Sequence, residues 1–362
     1  MGGKSLGRSL ESFRAISLLR NLATMLLRLF STRSAVLPRF LALRRMSTFG
    51  DNCPLVLTPR QLRELPSTEV SILDVSWHMP NSPRKAREEF AKERIPGARY
   101  LDLDEVASQH ELGLKHMMPT GEIFAEACGM RLEFQFGQSV HEIYDTHGIF
   151  SSPRALFMFR SFNHNRSSIL DGGLPAWKAH NCPTESGEPT TTDKSKYPVP
   201  TLNEAAIRSY EQVVTNAAFD PREEPIAELV LDARSRGRFL GTDPEPRPGL
   251  SSGHLPYAKS LPFNVFLKTN EFKSSEASNS ASYTTLRSSE DLHAALENAV
   301  GEEYAKEILA GRRGVVASCG SGMTAGVIWL ALQMIGVERV GIYDESWTGY
   351  AMREESKIEK GE

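Results

Sequence analysis

Cysteine is scarce. Four residues, Cys53, Cys128, Cys182 and Cys319, are scattered over 362 positions. None stands at the short Cys/His spacing of a zinc site, so no metal is expected. Four unpatterned cysteines in a chain this long also exclude a disulfide framework and imply a reducing compartment. Long apolar runs are missing too. Arg20 and Arg28 cut the N-terminal apolar stretch far below the ~20 residues a membrane span needs, so no membrane insertion is expected. Acids are nearly absent from residues 1–50, which hold nine Lys/Arg and one acid, Glu11. The remaining residues carry 33 basic and 44 acidic side chains, a net of −11. A basic tail on an acidic body is not the charge distribution of a nucleic-acid binder.

Residues 1–50 read as a targeting segment. Arg8, Arg14, Arg20, Arg28, Arg33, Arg39, Arg44 and Arg45 are interleaved with Leu, Ile, Phe, Ser and Ala. This is the composition of a mitochondrial transit peptide, and its middle can form a basic amphipathic helix. A secretory signal would have to use the short core Asn21–Leu27. Met46 offers a start for a shorter, cytoplasmic form.

The stretch Val315-Val316-Ala317-Ser318-Cys319-Gly320-Ser321-Gly322-Met323-Thr324-Ala325 is the most informative. It predicts a buried strand, a six-residue loop opening at Cys319, and a helix from Ala325 to Ile335 stopped by Gly336. Backbone N–H groups and a helix N-terminus would face the sulfur and favour a thiolate. Gly320 and Gly322 suit a tight nest of this kind. A Cys-x5-Arg phosphatase loop needs arginine where Ala325 stands, and a phosphate-binding Walker loop needs a lysine this loop lacks. A thiolate nucleophile in an anion cradle remains, against the blander reading of an inert buried cysteine.

The landmarks of this region occur twice in one order. Leu231-Asp232-Ala233-Arg234 repeats Leu73-Asp74-Val75, and His254-Leu-Pro-Tyr257-Ala repeats Arg94-Ile-Pro-Gly97-Ala. Val316–Cys319 matches Ile143–Asp145, and Gly341–Asp344 matches Ile169–Asp171. Strands alternating with helices imply mainly parallel sheets covered on both faces. The chain is therefore divided into a targeting segment (1–50), a first α/β domain (55–184), a linker (185–210) and a second domain (211–355). Residues 270–289, rich in Ser and Thr, are expected to be an exposed loop inserted in the second domain. Asp145 stands where the second copy has Cys319. One domain is thus expected to be catalytic and the other to support it.

Three motifs carry a family resemblance. They are Cys319-Gly-Ser-Gly-Met-Thr-Ala, Asp232-Ala-Arg-Ser-Arg-Gly-Arg238-Phe-Leu-Gly-Thr-Asp-Pro-Glu-Pro-Arg247, and Leu170-Asp-Gly-Gly-Leu-Pro-Ala-Trp177. With them the chain resembles the tandem-domain rhodaneses over residues 55–353. The resemblance implies an α/β fold of two tandem rhodanese-like domains, each a mainly parallel sheet flanked by helices. It implies transfer of sulfane sulfur through a Cys319 persulfide to a thiol or cyanide, with no cofactor and thioredoxin among the candidate acceptors. Gly320 and Ser321, where thiosulfate-using members carry Arg and Lys, point to 3-mercaptopyruvate as the donor. Thiosulfate as donor, or a non-enzymatic redox or binding module, are the alternatives.

By the same resemblance, Arg238 and Arg247 bind the donor carboxylate, together with the loop residues Gly320, Gly322, Met323 and Thr324. An arginine fork suits a carboxylate because it offers two parallel hydrogen bonds. Ser321, His116 and Asp104 are implied as a proton relay, with Asp102 a rival for Asp104. The chain departs from the family at Met323, at Tyr257 and in the 270–289 insertion.

Overall fold

The computed structural model describes residues 52–131, 140–189, 197–273 and 280–362. These belong to one compact unit, Ser47–Glu362. Residues 1–50, expected as a targeting segment, lie outside the described residues.

Local chemistry sets the first helix. Thr58 caps the helix Pro59–Glu64 through a reciprocal capping box with Gln61, with Pro59 in the first turn. Five short strands then build the first sheet: β1 (Val56–Leu57), β2 (Val70–Asp74), β3 (Arg99–Tyr100), β4 (Val140–Tyr144) and β5 (Ser167–Leu170). Their order is β1-β5-β4-β2-β3, and every pairing is parallel. Strands β4 and β5 are buried along their whole length, which fits a parallel sheet covered on both faces.

The second sheet comprises β6 (Ile207–Arg208), β7 (Leu229–Asp232), β8 (Lys259–Ser260), β11 (Val315–Ser318) and β12 (Val340–Tyr343). Its order is β6-β12-β11-β7-β8, again all parallel. Replacing each strand by its repeat partner turns the first order into the second. The molecule is two tandem α/β domains of one topology.

Of residues 270–289, expected as an exposed loop, 270–273 and 280–286 lie in strands. β9 (Leu267–Lys273) and β10 (Ser280–Leu286) pair antiparallel from Leu267↔Leu286 to Lys273↔Ser280. The segment has few apolar residues, but Thr, Tyr and Phe fit a half-covered pleated surface. One end of this hairpin docks on the first domain. The Ile149 amide donates to Thr284 Oγ1 at 3.2 Å, and the Leu286 amide donates to Asp171 Oδ1 at 3.0 Å.

The two domains share one core. Leu73 and Ile143 of the first sheet and Leu229 and Val315 of the second belong to a single buried cluster. Across it, helix Ser152–Ser161 of the first domain packs on helix Ala325–Met334 of the second. Phe157 meets Trp329 edge-on at 5.4 Å. Gly326 permits the close approach: a side chain there would begin 2.7 Å from the Arg154 amide nitrogen. Both helices follow directly on the loops that leave β4 and β11, so this packing brings the two loops together. No helix among the described residues is long and apolar enough to cross a membrane.

Candidate active site

Cys319 follows β11 and is 2% exposed. Its loop is oriented by helix Ser346–Ala351. The Trp347 amide donates to the Cys319 carbonyl at 2.9 Å, and the Thr348 amide donates to the Gly320 carbonyl at 2.9 Å. In a trans peptide, C=O and N–H point opposite ways. The N–H groups of Gly320 and Ser321 therefore face away from that helix. Among the described residues, the amides of Gly320 to Thr324 donate to no protein acceptor. Ser346 fixes the start of the loop, its hydroxyl accepting from the Cys319 amide at 3.1 Å and donating to the Tyr343 carbonyl. Gly322 has φ +84°, a conformation that suits glycine.

The first domain shows what such a loop binds. Asp145, at the end of β4, turns its carboxylate into its own loop. Oδ1 accepts from the amides of His147 and Gly148, and Oδ2 from those of Phe150, Ser151 and Ser152 at 2.8–3.0 Å. The Ser152 hydroxyl adds a sixth bond at 2.8 Å. This is an anion cradle filled by the chain's own carboxylate.

Arg238 and Arg247 converge on the Cys319 loop. Their Nη2 and Nη1 atoms lie 3.2 and 3.5 Å from the point where a Gly320 side chain would begin. Arg238 is held from behind by alternating buried charges. Asp232 pairs with Arg234, Arg234 with Glu245 at 2.7 Å, and Glu245 with Arg238. The side chains of Asp232, Arg234 and Glu245 are at most 1% exposed. Arg234 also lies over the Trp347 ring at 4.1 Å, tying this chain to the helix that orients the loop.

His116 comes from the first domain, buried and with φ +47°, an uncommon backbone conformation found at functional positions. Asp104, not its neighbour Asp102, bonds His116 Nδ1 at 2.7 Å, while Trp77 Nε1 donates to the other Asp104 oxygen. A carboxylate only accepts, so Nδ1 carries the proton and Nε2 keeps its lone pair. Nε2 is buried and has no hydrogen-bond partner among the described residues. Burial, helped by Arg154 and Arg247, holds the imidazole below the ordinary histidine range, against the pull of Asp104. Burial pushes the Asp104 pKa up, but the bonds from His116 and Trp77 outweigh it and leave the carboxyl below its usual range. No hydrogen bond joins Ser321 to His116, although both stand in the implied relay. Met323 points into the core, and Thr324 precedes the helix Ala325–Met334 without capping it by its side chain.

All four cysteines are free and buried. Burial pushes Cys53 up to about 11 and Cys128 well above the usual thiol range, which keeps both un-ionised. Sequence reasoning missed Ser346, Glu245, Arg154, Asp344 and Trp77. Glu245 lies inside the motif that carries both arginines, and an acid between two cations was the available signal. Arg154 and Asp344 meet only in three dimensions.

No family model matches the chain. It is 35% identical over 292 residues to 3-mercaptopyruvate sulfurtransferase of Homo sapiens, covering 78% of this chain and 86% of that one. It is 33% identical over 332 residues to thiosulfate/3-mercaptopyruvate sulfurtransferase 1, mitochondrial, of Arabidopsis thaliana, covering 87% and 80%. Among solved structures it resembles Escherichia coli SseA, described as the rhodanese fold of 3-mercaptopyruvate sulfotransferases. The TM-score is 0.62 at 26% identity, over 82% of this chain and 99% of that one.

Proposed function

Since the chain belongs to the tandem-domain rhodanese family of sulfurtransferases, we propose that it carries sulfur on Cys319 from 3-mercaptopyruvate to a thiol or cyanide, releasing pyruvate. The observation that carries this reading is the convergence of Arg238 and Arg247 on Gly320, beside Cys319. Two guanidinium groups beside a nucleophile select an anionic donor and hold its carboxylate, so that its thiol sulfur meets Cys319.

The chemistry then balances. The Cys319 thiolate attacks the donor sulfur, forming an S–S bond as the S–CH2 bond breaks. His116 Nε2, with its free lone pair, takes the donor's S–H proton and returns it to the departing enolate carbon, giving pyruvate. The Ser321 hydroxyl supports the enolate oxygen. The persulfide anion stays in the cradle of loop amides until a thiol or cyanide removes the outer sulfur. Thioredoxin is the protein thiol we propose as acceptor. Cys319 is deeply buried, so an acceptor must present its thiol on an exposed, projecting segment. Loss of the added sulfur on mixing with reduced thioredoxin tests this, and a persulfide that thioredoxin leaves intact sinks it.

Thiosulfate is the second donor reading. Two convergent cations match its two negative charges, and the Arabidopsis relative carries both donors in its name. Intact-mass measurement after exposure to each donor separates the readings by which of them adds one sulfur atom. Cys319→Ser, with Cys53, Cys128 and Cys182 unchanged, is expected to accept none and to turn over neither donor. Sulfur transfer surviving in that variant would overturn the assignment.

We also propose that residues 1–50 direct the chain to mitochondria. Support comes from their arginine-rich, acid-poor composition and from the mitochondrial Arabidopsis relative. Fused to a fluorescent reporter, they should carry it to mitochondria; a secreted or diffuse cytosolic reporter contradicts the proposal.

A further inference from the structure

Arg154 has no place in the relay or the carboxylate clamp, yet it is the cation through which the first domain reaches the Cys319 loop. It sits in the first turn of helix Ser152–Ser161, 3% exposed. Its Nη2 donates to the His116 carbonyl at 2.9 Å and to Asp344 Oδ1 at 2.6 Å. Asp344 follows β12, and its second oxygen accepts from the Met118 amide of the first domain at 2.8 Å. Asp344 thus holds the segment that carries His116 directly at Met118 and, through Arg154, at the His116 carbonyl. Arg154 Nη1 lies 3.5 Å from the point where a Gly322 side chain would begin, and the Asp344 carbonyl lies 3.0 Å from it. Nη1 has no hydrogen-bond partner among the described residues.

We propose that Arg154 is a positioning residue for sulfur transfer, through which the first domain fixes His116 and Asp344 against the Gly322 end of the Cys319 loop. Two consequences follow from a buried guanidinium in this place. Its Nη2, shared between the His116 carbonyl and Asp344, holds the uncommon backbone conformation of His116, so the imidazole keeps its aim. Its charge also disfavours the imidazolium form. The groups facing His116 are Asp104, which favours the charged ring, Arg154 and Arg247, which oppose it, and the Trp77 ring at 5.2 Å. Arg154 is the one of these cations that also bonds the His116 backbone. A side chain that only filled space would have neither effect.

The inference rests on the sulfur-transfer reading, and its test is chosen to stand apart from it. Arg154→Met and Arg154→Lys are compared with wild type in two measurements. In steady-state kinetics with 3-mercaptopyruvate and cyanide, Arg154→Met is expected to lose at least about 10-fold in kcat, with KM changed by less than about threefold because Arg238 and Arg247 remain. By NMR, the His116 imidazole should titrate at higher pH in Arg154→Met than in wild type, because a nearby like charge has gone. Arg154→Lys should restore the titration while recovering only part of kcat, since an ammonium keeps the charge but sits one atom short of the place from which Nη2 bonds both the His116 carbonyl and Asp344. The NMR arm needs no turnover, so it still reads the link to His116 if wild type forms no persulfide and the functional reading fails. Should Arg154→Met fail to fold, the lysine variant decides. The proposal is overturned if the His116 titration is unmoved in Arg154→Met, or if the lysine variant folds, matches wild-type kcat and leaves nothing for the reach of the guanidinium to explain.

Discussion

Arg238 and Arg247 stand beside the same loop residue, Gly320. Arg238 is placed by a buried chain of charges running back to Asp232, so its direction is set before any donor arrives. Preorganised donors of this kind act without reorganising as charge moves. Truncating either arginine to Ala should weaken 3-mercaptopyruvate use by a charge-assisted hydrogen bond, roughly 1.5–3 kcal/mol, or about 10- to 150-fold in kcat/KM. Steady-state kinetics checks it, and an unchanged kcat/KM in both variants would remove the clamp. Asp171 offers a different test. Burial raises its pKa to about 6 from 3.8, against the opposing bond from the Leu286 amide. A raised carboxyl pKa means the folded state prefers the proton. The stability it contributes is complete below about pH 4 and is lost as pH rises through 6. Asp171→Asn keeps an acceptor for Leu286 but never charges. It should be more stable than wild type at pH 7 by on the order of 1–3 kcal/mol, with the difference vanishing below pH 4. Urea titrations at both pH values decide this; a variant less stable at pH 7 contradicts it.

Elements with a strong local signal were legible in the sequence. Thr58 and Pro59 announced a helix start, and the apolar run after Thr324 announced the helix Ala325–Met334. The hairpin of β9 and β10 was not legible, because its strands draw on backbone pairing and on a docking surface supplied by the other domain. Thr284 and Leu286 show no sequence signal for partners more than a hundred residues away. The contact between helices Ser152–Ser161 and Ala325–Met334 is likewise tertiary, and one glycine controls it. Gly326→Ala would place a methyl against the Arg154 backbone at 2.7–2.9 Å. Neither helix can yield without moving the loop it follows. Overpacking of this kind costs about 1–3 kcal/mol. Thermal unfolding should show a lower Tm, and kcat should fall with it because Arg154 moves. A variant as stable and as active as wild type would mean the interface tolerates separation.

At the scale of the whole molecule, the repeat was the most legible feature. The four paired landmarks fall at corresponding places in two sheets of the same strand order. The position of Cys319 at the end of β11 was equally legible, since a buried strand, a Gly-x-Gly loop and a helix leave little freedom. What the sequence could not reveal is how the copies complement each other. Arg154 and Asp344 are 190 residues apart, and the His116 segment is held by contacts to both of them. On the proposed function, the difference between the copies also sets how much sulfur each chain carries. Asp145 is a ligand tethered in its own binding site, present at an effective concentration no free anion can match. Its six bonds keep the first cradle permanently occupied. With the first cradle filled by Asp145, the proposed function leaves one loop to take sulfur, and each chain would then be a single-load carrier that must discharge before it can be charged again.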